Sequence, residues 1–136
     1  QARDQLQLPQ GKHIVLALGN LRSYKGYPEL IEAFLALPEG LQSEWVLLIV
    51  GKSGADNHGK ILHELAKSTQ NIIVQDVFVP DDEIGIYMNA ANVMILPYRN
   101  MQNSGAANLA ITFGRPVLAP DISSFKDMAR NFSQGT

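Results

Sequence analysis

The stretch WVLLIVG, residues 45–51, is apolar at every position and closes on a glycine. A strand with one solvent-exposed face alternates apolar and polar residues, whereas a strand covered on both faces is apolar throughout. Residues 45–51 therefore predict a strand that is buried on both faces of a parallel sheet.

Strand and helix patterns alternate on both sides of this stretch. Residues 13–19, HIVLALG, predict a strand before it, and residues 27–37 space their apolar side chains as an amphipathic helix does. Further along, we predict helices at 59–68, 80–91 and 104–113, and strands at 71–75, 92–97 and 115–120. This alternation predicts an α/β fold, a doubly wound, Rossmann-like parallel sheet of about five strands with flanking helices.

Composition narrows the class of protein. The chain has 136 residues, 46% of them hydrophobic, with 11 basic and 13 acidic side chains and no cysteine. This length suggests one domain, and the charge balance gives no reason to expect a nucleic-acid partner. No apolar run is long enough to span a membrane, and no signal-peptide pattern is visible. We therefore expect a cytoplasmic chain without a transmembrane segment or disulfides.

Several familiar motifs fail on their spacing. VGKSG, residues 50–54, lacks the earlier glycine of a P-loop because residue 46 is Val. The three histidines, at 13, 58 and 63, match no zinc signature, so we interpret them as solvated or hydrogen-bonded side chains. Ser104 lacks the flanking glycines of a nucleophile elbow and is better interpreted as a helix N-cap. The sequence indicates neither a bound metal nor a nucleophile.

The loop after the first strand, NLRSYKG at residues 20–26, carries two cations. Ligands of doubly wound sheets bind at the carboxyl ends of the strands, and Arg22 and Lys25 follow such an end. An arginine and a lysine there can bind a diphosphate, and Gly26 allows the backbone to turn into the next helix. The alternative is an ordinary solvated loop, and residue types alone do not separate the two.

A second stretch, NSGAAN at residues 103–108, opens the predicted helix after the fourth strand. A helix start carries unpaired N–H donors and a partial positive charge, so it attracts anions. Small residues leave those donors accessible, and with Arg22 and Lys25 they would form a metal-free diphosphate site. The alternative is that Ser104, Gly105 and Ala106 are small only so that the helix packs closely on the sheet.

Together these stretches resemble the C-terminal, donor-binding domain of the GT-B glycosyltransferases, in particular family 4 of the glycosyltransferases. The family signature Gly-x-Leu-x-x-x-Lys-Gly is matched by Gly19, Leu21, Lys25 and Gly26. Residues 91–121 match a second stretch, from the fourth strand through Pro-Tyr-Arg and Ser-Gly to Gly-x-Pro-Val. The resemblance covers about residues 13–125.

The resemblance implies a retaining enzyme that moves a sugar from a nucleoside diphosphate sugar to an acceptor hydroxyl without a metal cofactor. It implies that Arg22 and Lys25 contact the diphosphate and stabilise the leaving group, and that the loop at 77–80 lies by the base. The residues expected to bind the donor are Gly19, Arg22, Lys25, Val77, Phe78, Asn103, Ser104, Gly105, Ala106 and Asn108. Catalytic side chains beyond the two cations are not identified in this chain.

The resemblance also implies that residues 1–136 are one domain of a two-domain enzyme whose N-terminal acceptor domain is absent from this chain. We therefore expect the chain alone to bind nucleotide without transferring sugar, and to self-associate through the surface left open. The full-length enzyme is expected to be cytoplasmic or peripheral at the membrane.

Some residues depart from the family pattern. Two glutamates that the family often carries would fall at 101 and 109, or at 100 and 108, and this chain has none there. Asn108 can still bind a ribose hydroxyl, though more weakly than a carboxylate. Asn92 replaces a frequent Asp, and residues 123–124 are Ser-Ser in place of Gly-Gly. These departures bear on sugar contacts and base preference, and they keep two alternatives open, a non-catalytic ligand-binding module and an interaction domain without ligand.

Overall fold

The computed structural model describes residues 2–9, 11–19, 21, 26–95 and 117–118. They form one five-stranded sheet in the order β3-β2-β1-β4-β5, and every neighbouring pair is parallel. The strands are β1 (His13–Leu18), β2 (Trp45–Gly51), β3 (Ile72–Asp76), β4 (Val93–Ile95) and β5 (Val117–Leu118). The predicted doubly wound parallel sheet is confirmed.

Helices connect the strands. They are α1 (Ala2–Gln5), α2 (Tyr27–Leu35), α3 (Glu39–Gln42), α4 (His58–Ala66), a 3-10 helix (Asp81–Glu83) and α5 (Ile84–Ala90). The predicted helix at 27–37 ends at Leu35, and a separate short helix, α3, follows Pro38. The predicted helix at 104–113 lies outside the described residues. No helix in the described part of the chain is both long and apolar enough to cross a membrane.

The second strand lies in the middle of the core, as its sequence predicts. Every residue of β2 is buried. Trp45, Leu47 and Ile49 pack into the cluster that contains side chains of α2 and α4. The alternate residues of β2 pack into the opposite cluster, which contains side chains of α5. Since both faces are covered by helices, the strand has no polar side, and its uniformly apolar sequence follows from that burial.

The start of α2 shows the glycine turn that the sequence predicts. Gly26 is the N-cap and has a φ of 76°, in the left-handed region where a side chain is unfavourable. Pro28 follows in the first turn, where its missing N–H costs no hydrogen bond. The inward face of the helix then buries Leu30, Ile31 and Phe34. The chain therefore enters α2 through a tight turn at Gly26 itself.

Asn92 lies at the amino end of β4, opposite the carboxyl edge where doubly wound sheets generally bind ligands. Its Oδ1 accepts a hydrogen bond from the Ile14 N–H at 2.7 Å, and its own N–H donates to the Ile14 oxygen at 2.9 Å. These bonds join β4 to β1. The expectation that this departure bears on sugar contacts is therefore wrong for Asn92, because its side chain anchors the sheet. An aspartate offers the same acceptor oxygen, which explains why either residue suits the position.

Candidate functional site

The direction in which strands are added to the sheet reverses between β1 and β4. From β1 the chain moves outward through β2 to β3, and then returns to add β4 on the other side of β1. β1 and β4 pair directly, Val15 opposite Val93 and Leu16 opposite Met94. Ligands of doubly wound sheets bind at such a reversal, outside the carboxyl ends of the strands. The two stretches that the sequence singles out, residues 20–26 and 103–108, come after these two strands in the sequence.

Three of the predicted donor-binding residues lie among those described, namely Gly19, Val77 and Phe78, and all three follow carboxyl ends of strands. The others are Arg22, Lys25, Asn103, Ser104, Gly105, Ala106 and Asn108. These seven lie outside the described residues, and their roles stay predictions.

Gly19 packs closely against the end of β2. Its N–H donates to the Val50 oxygen at 3.1 Å. A Cβ added to Gly51 would overlap the carbonyl oxygen of Gly19, so only glycine at 51 permits this approach. The loop after β1 therefore begins in direct backbone contact with β2.

Val77 and Phe78 form an exposed apolar surface just beyond β3. Val77 is 44% exposed and Phe78 is 74% exposed, whereas Val74, within β3, is buried. The Val77 N–H donates to the Gly51 oxygen at 2.9 Å, which holds this segment to the end of β2. An exposed aromatic ring on a fixed backbone is suited to stacking against a planar group. The structure thus brings Val77 and Phe78 to the same edge as Gly19.

Ser53 and Asp76 form a hydrogen-bonded cluster at this edge. The Ser53 N–H donates to Asp76 Oδ1 at 2.7 Å, and the Ser53 hydroxyl donates to Oδ2 at 2.6 Å. The Gly59 N–H donates to the Ser53 Oγ at 2.8 Å, so one free donor in the first turn of α4 is satisfied. A Cβ on Gly59 would overlap Asp76 Oδ2. The cluster joins the end of β3, the loop after β2 and the start of α4.

The pKa of Asp76 lies below its ordinary value. The main cause is the hydrogen bond from the Ser53 hydroxyl, followed by the one from the Ser53 N–H. Partial burial opposes this shift, and the nearby charges of Lys52 and His63 add to it. Because hydrogen bonds to a carboxylate favour its ionised form, Asp76 is an anion near neutral pH.

Sequence reasoning missed this cluster and misjudged one histidine. Ser53 and Asp76 are 23 residues apart, and only the pairing of β2 with β3 brings them together. The signal was available, since Ser53 follows β2 and Asp76 is the last residue of β3, so both lie at carboxyl ends of strands. We expected His58 to be solvated or hydrogen-bonded. It is only 4% exposed, and its Nε2 has no hydrogen-bond partner among the described residues.

No group of three or more His, Asp or Glu side chains with the geometry to hold a metal ion occurs within the described ranges. What those ranges offer at the carboxyl edge is an exposed aromatic ring and a carboxylate whose two oxygens already accept hydrogen bonds from Ser53. The ring can stack on a planar ligand, and the carboxylate can fix the backbone around it.

Comparisons with known proteins agree with this architecture. The chain is 27% identical over 121 residues to the GDP-mannose:glycolipid 4-beta-D-mannosyltransferase of Xanthomonas campestris pv. campestris, a match that covers 89% of this chain and 34% of that protein. The chain thus spans about a third of the length of the curated relatives it matches.

Solved structures share the fold. Sucrose-phosphate synthase from Thermosynechococcus elongatus superposes with a TM-score of 0.77 at 22% identity, over 98% of this chain and 39% of that one. HepE of Anabaena, solved in complex with UDP and glucose, gives 0.75 at 18% identity, over 98% and 41% of the two chains. The model of the family named glycosyl transferases group 1 matches residues 1–136, and the chain belongs to that family.

Proposed function

We propose that this chain is the donor-binding half of a glycosyltransferase that moves a sugar from a nucleoside diphosphate sugar to an acceptor hydroxyl. The observation that carries the proposal is the pairing of β1 with β4 at the reversal of strand order. The cationic stretch follows β1, and the small-residue stretch follows β4. Two sequences suited to binding phosphate therefore come after neighbouring strands along the chain, and such sheets bind ligands at the carboxyl ends of those strands.

In this proposal Arg22 and Lys25 bind the diphosphate. Arginine offers a planar fork of donors to the phosphate oxygens, and lysine acts as a point charge. Negative charge grows on the diphosphate as the sugar departs, so the same cations stabilise the leaving group. The N–H groups of Ser104, Gly105 and Ala106 hold the far phosphate, and Asn103 and Asn108 contribute polar contacts, Asn108 to the ribose.

The base of the nucleotide lies against Val77 and Phe78. The exposure of Phe78, 74%, supports this role because a ring that already faces solvent can stack on a base without rearrangement. The mannosyltransferase relative is named for GDP-mannose. HepE, which shares the fold, was solved with UDP. We therefore propose guanine and uracil nucleotides as the first two to test.

We further propose that transfer proceeds with retention of anomeric configuration and without a metal ion. The relative's name specifies a β-linkage, and a β-linked product formed from an α-linked nucleotide sugar is inversion, so that relative does not support retention. The configuration of the product, measured by NMR on the complete enzyme, is therefore the direct test of retention. Acceptor binding would reside in the rest of the two-domain enzyme, which we place in the cytoplasm or at the membrane surface, and the isolated chain would bind nucleotide without turnover.

Isothermal titration calorimetry of the 136-residue chain with GDP and with UDP tests the binding role. Arg22→Ala and Lys25→Ala are each expected to weaken the preferred nucleotide about tenfold or more, because a charge-assisted contact contributes roughly 1.5–3 kcal/mol. Addition of EDTA is expected to leave the affinity unchanged.

Lys67→Ala is the matched control. It removes a lysine at the end of α4, where the side chain is 72% exposed and pairs only with Glu64 among the described residues. It should leave both the affinity and the fold unchanged. Equal affinity of wild type, Arg22→Ala and Lys25→Ala would exclude the diphosphate role of the loop after β1.

A further inference from the structure

One peptide group, between Lys52 and Ser53, is hydrogen-bonded on both of its sides. Its carbonyl oxygen accepts from the Leu21 N–H at 3.1 Å. Its N–H donates to Asp76 Oδ1 at 2.7 Å. Because a peptide group is planar, the direction of its N–H fixes the direction of its carbonyl oxygen. The Asp76 carboxylate therefore orients the acceptor that holds Leu21.

Asp76 is well built for this task. Both of its oxygens bind Ser53, one the backbone N–H and the other the hydroxyl, so the carboxylate cannot rotate without breaking a hydrogen bond. The Ser53 hydroxyl oxygen is itself held by the Gly59 N–H at the start of α4. Charged acceptors form stronger hydrogen bonds than neutral ones, which favours a single arrangement of the cluster.

The other end of this chain of hydrogen bonds reaches the cationic loop. Leu21 is fully buried and forms an isolated parallel bridge with Ser53. The next residue along the chain is Arg22, the first of the two proposed diphosphate ligands. Leu21, which precedes Arg22 in the sequence, is thus held by contacts that run from the end of β3 through the loop after β2.

We propose that Asp76 and Ser53 are positioning residues, which act through the Lys52–Ser53 peptide group to hold Leu21 and thereby place Arg22 for the diphosphate. The inference rests on the proposed function of the loop after β1. It adds that the affinity for the diphosphate depends on a carboxylate that does not itself contact the nucleotide. Without such a positioning role, the negative charge of Asp76 would only repel a diphosphate bound nearby.

The experiment compares GDP and UDP affinity, by calorimetry, in wild type, Asp76→Ala and Asp76→Asn. Asp76→Ala should weaken binding of the preferred nucleotide about tenfold, because displacing Arg22 would remove one charge-assisted contact to the diphosphate. Asp76→Asn should recover most of that loss, because its amide oxygen can still accept from the Ser53 N–H. Ser53→Ala removes only the hydroxyl and should give a smaller loss, and it serves as the second variant if Asp76→Ala fails to fold.

Gln75→Ala is the matched control, since it also removes a side-chain hydrogen bond near the end of β3. Gln75 accepts from the Tyr87 hydroxyl at 3.1 Å, and its neighbours Val74 and Asp76 face the other side of the sheet. Its removal should leave nucleotide affinity unchanged.

A double-mutant cycle separates positioning from general destabilisation. If Asp76 acts through Arg22, then Asp76→Ala should cost little affinity once Arg22 is already alanine. The positioning role would be overturned if the fold-losses of affinity in Asp76→Ala and Arg22→Ala multiplied in the double variant. It would also be overturned if Asp76→Ala and Ser53→Ala both bound nucleotide with wild-type affinity. Either result would leave the proposed donor site intact. Failure of the wild type to bind either nucleotide would overturn the proposed function, and the positioning role with it.

Discussion

At the scale of single residues, Asp76 shows how a fixed charge can be kept at the carboxyl edge of a parallel sheet. Two hydrogen bonds from Ser53 stabilise its ionised form and hold its pKa below the ordinary value. These bonds exist only in the folded chain, because they depend on the pairing of β2 with β3. The ionisation of Asp76 is therefore linked to folding.

This linkage predicts a pH dependence of stability. The folded pKa of Asp76 is lower than the unfolded value of about 3.9, so ionised Asp76 stabilises the fold above about pH 4. That contribution is lost as the pH falls through the folded pKa. Thermal unfolding at pH values between about 7 and 3 should show wild type more stable than Asp76→Asn near neutrality, with the difference shrinking toward acid. A difference that stays constant or widens in acid would contradict the assigned cause.

Phe78 offers a second test at this scale. Loss of a ring that stacks on a base typically costs roughly 1–3 kcal/mol, so Phe78→Ala should weaken nucleotide binding about tenfold. Ile61→Ala is the control, because Ile61 is also an exposed apolar residue, 51% accessible, but lies on α4. Calorimetry should show a loss for Phe78→Ala alone. Similar affinities of Phe78→Ala and Ile61→Ala for the nucleotide would exclude stacking of the base on Phe78.

At the scale of elements, uniform burial made the sheet predictable. A strand such as β2, covered on both faces, is apolar at every position, so its burial can be predicted from its sequence. In α2 the spacing of Leu30, Ile31 and Phe34 predicts which face of the helix is buried. The order of the strands was not predictable in the same way. Periodicity reports which faces are buried and does not report which strands pair.

The elements that sequence reasoning missed are short or depend on distant contacts. α1 and α3 have four residues each, barely one turn, so no helical period is visible in either. The link between Ser53 and Asp76 needs the register of β2 against β3, which the sequence does not state. The burial of His58 likewise depends on tertiary packing. Gly19, Val77 and Phe78 were predicted at the carboxyl edge of the sheet and lie there, while their contact with a donor stays a prediction.

Asn92 allows a test of how β4 is joined to β1. Asn92→Ala would leave the Ile14 N–H without its side-chain acceptor in a fully buried residue, at a cost of about 1–3 kcal/mol. Asn92→Asp keeps an acceptor oxygen and should cost less. Urea unfolding of both variants measures the difference. If Asn92→Ala were as stable as wild type, the side-chain bond would not contribute to joining the strands.

At the scale of the whole molecule, the chain matches about a third of its curated relatives' length. In the proposed enzyme a second domain would face the carboxyl edge and supply the acceptor. The exposed side chains of Val77 and Phe78 lie at this edge. Since exposed apolar surface favours association, self-association of the isolated chain stays a prediction of the same proposal.

The central claim is that a nucleoside diphosphate binds at the carboxyl edge of the sheet, and NMR titration of the isotopically labelled chain with GDP and UDP tests it most directly. Amide resonances of Gly19, Leu21, Gly26, Val77 and Phe78 are expected to shift with a common affinity. Those of Lys12, Asn71 and Asn92, at the amino ends of the strands, should not move. Absence of shifts with either nucleotide, or shifts confined to the amino ends, would contradict the account.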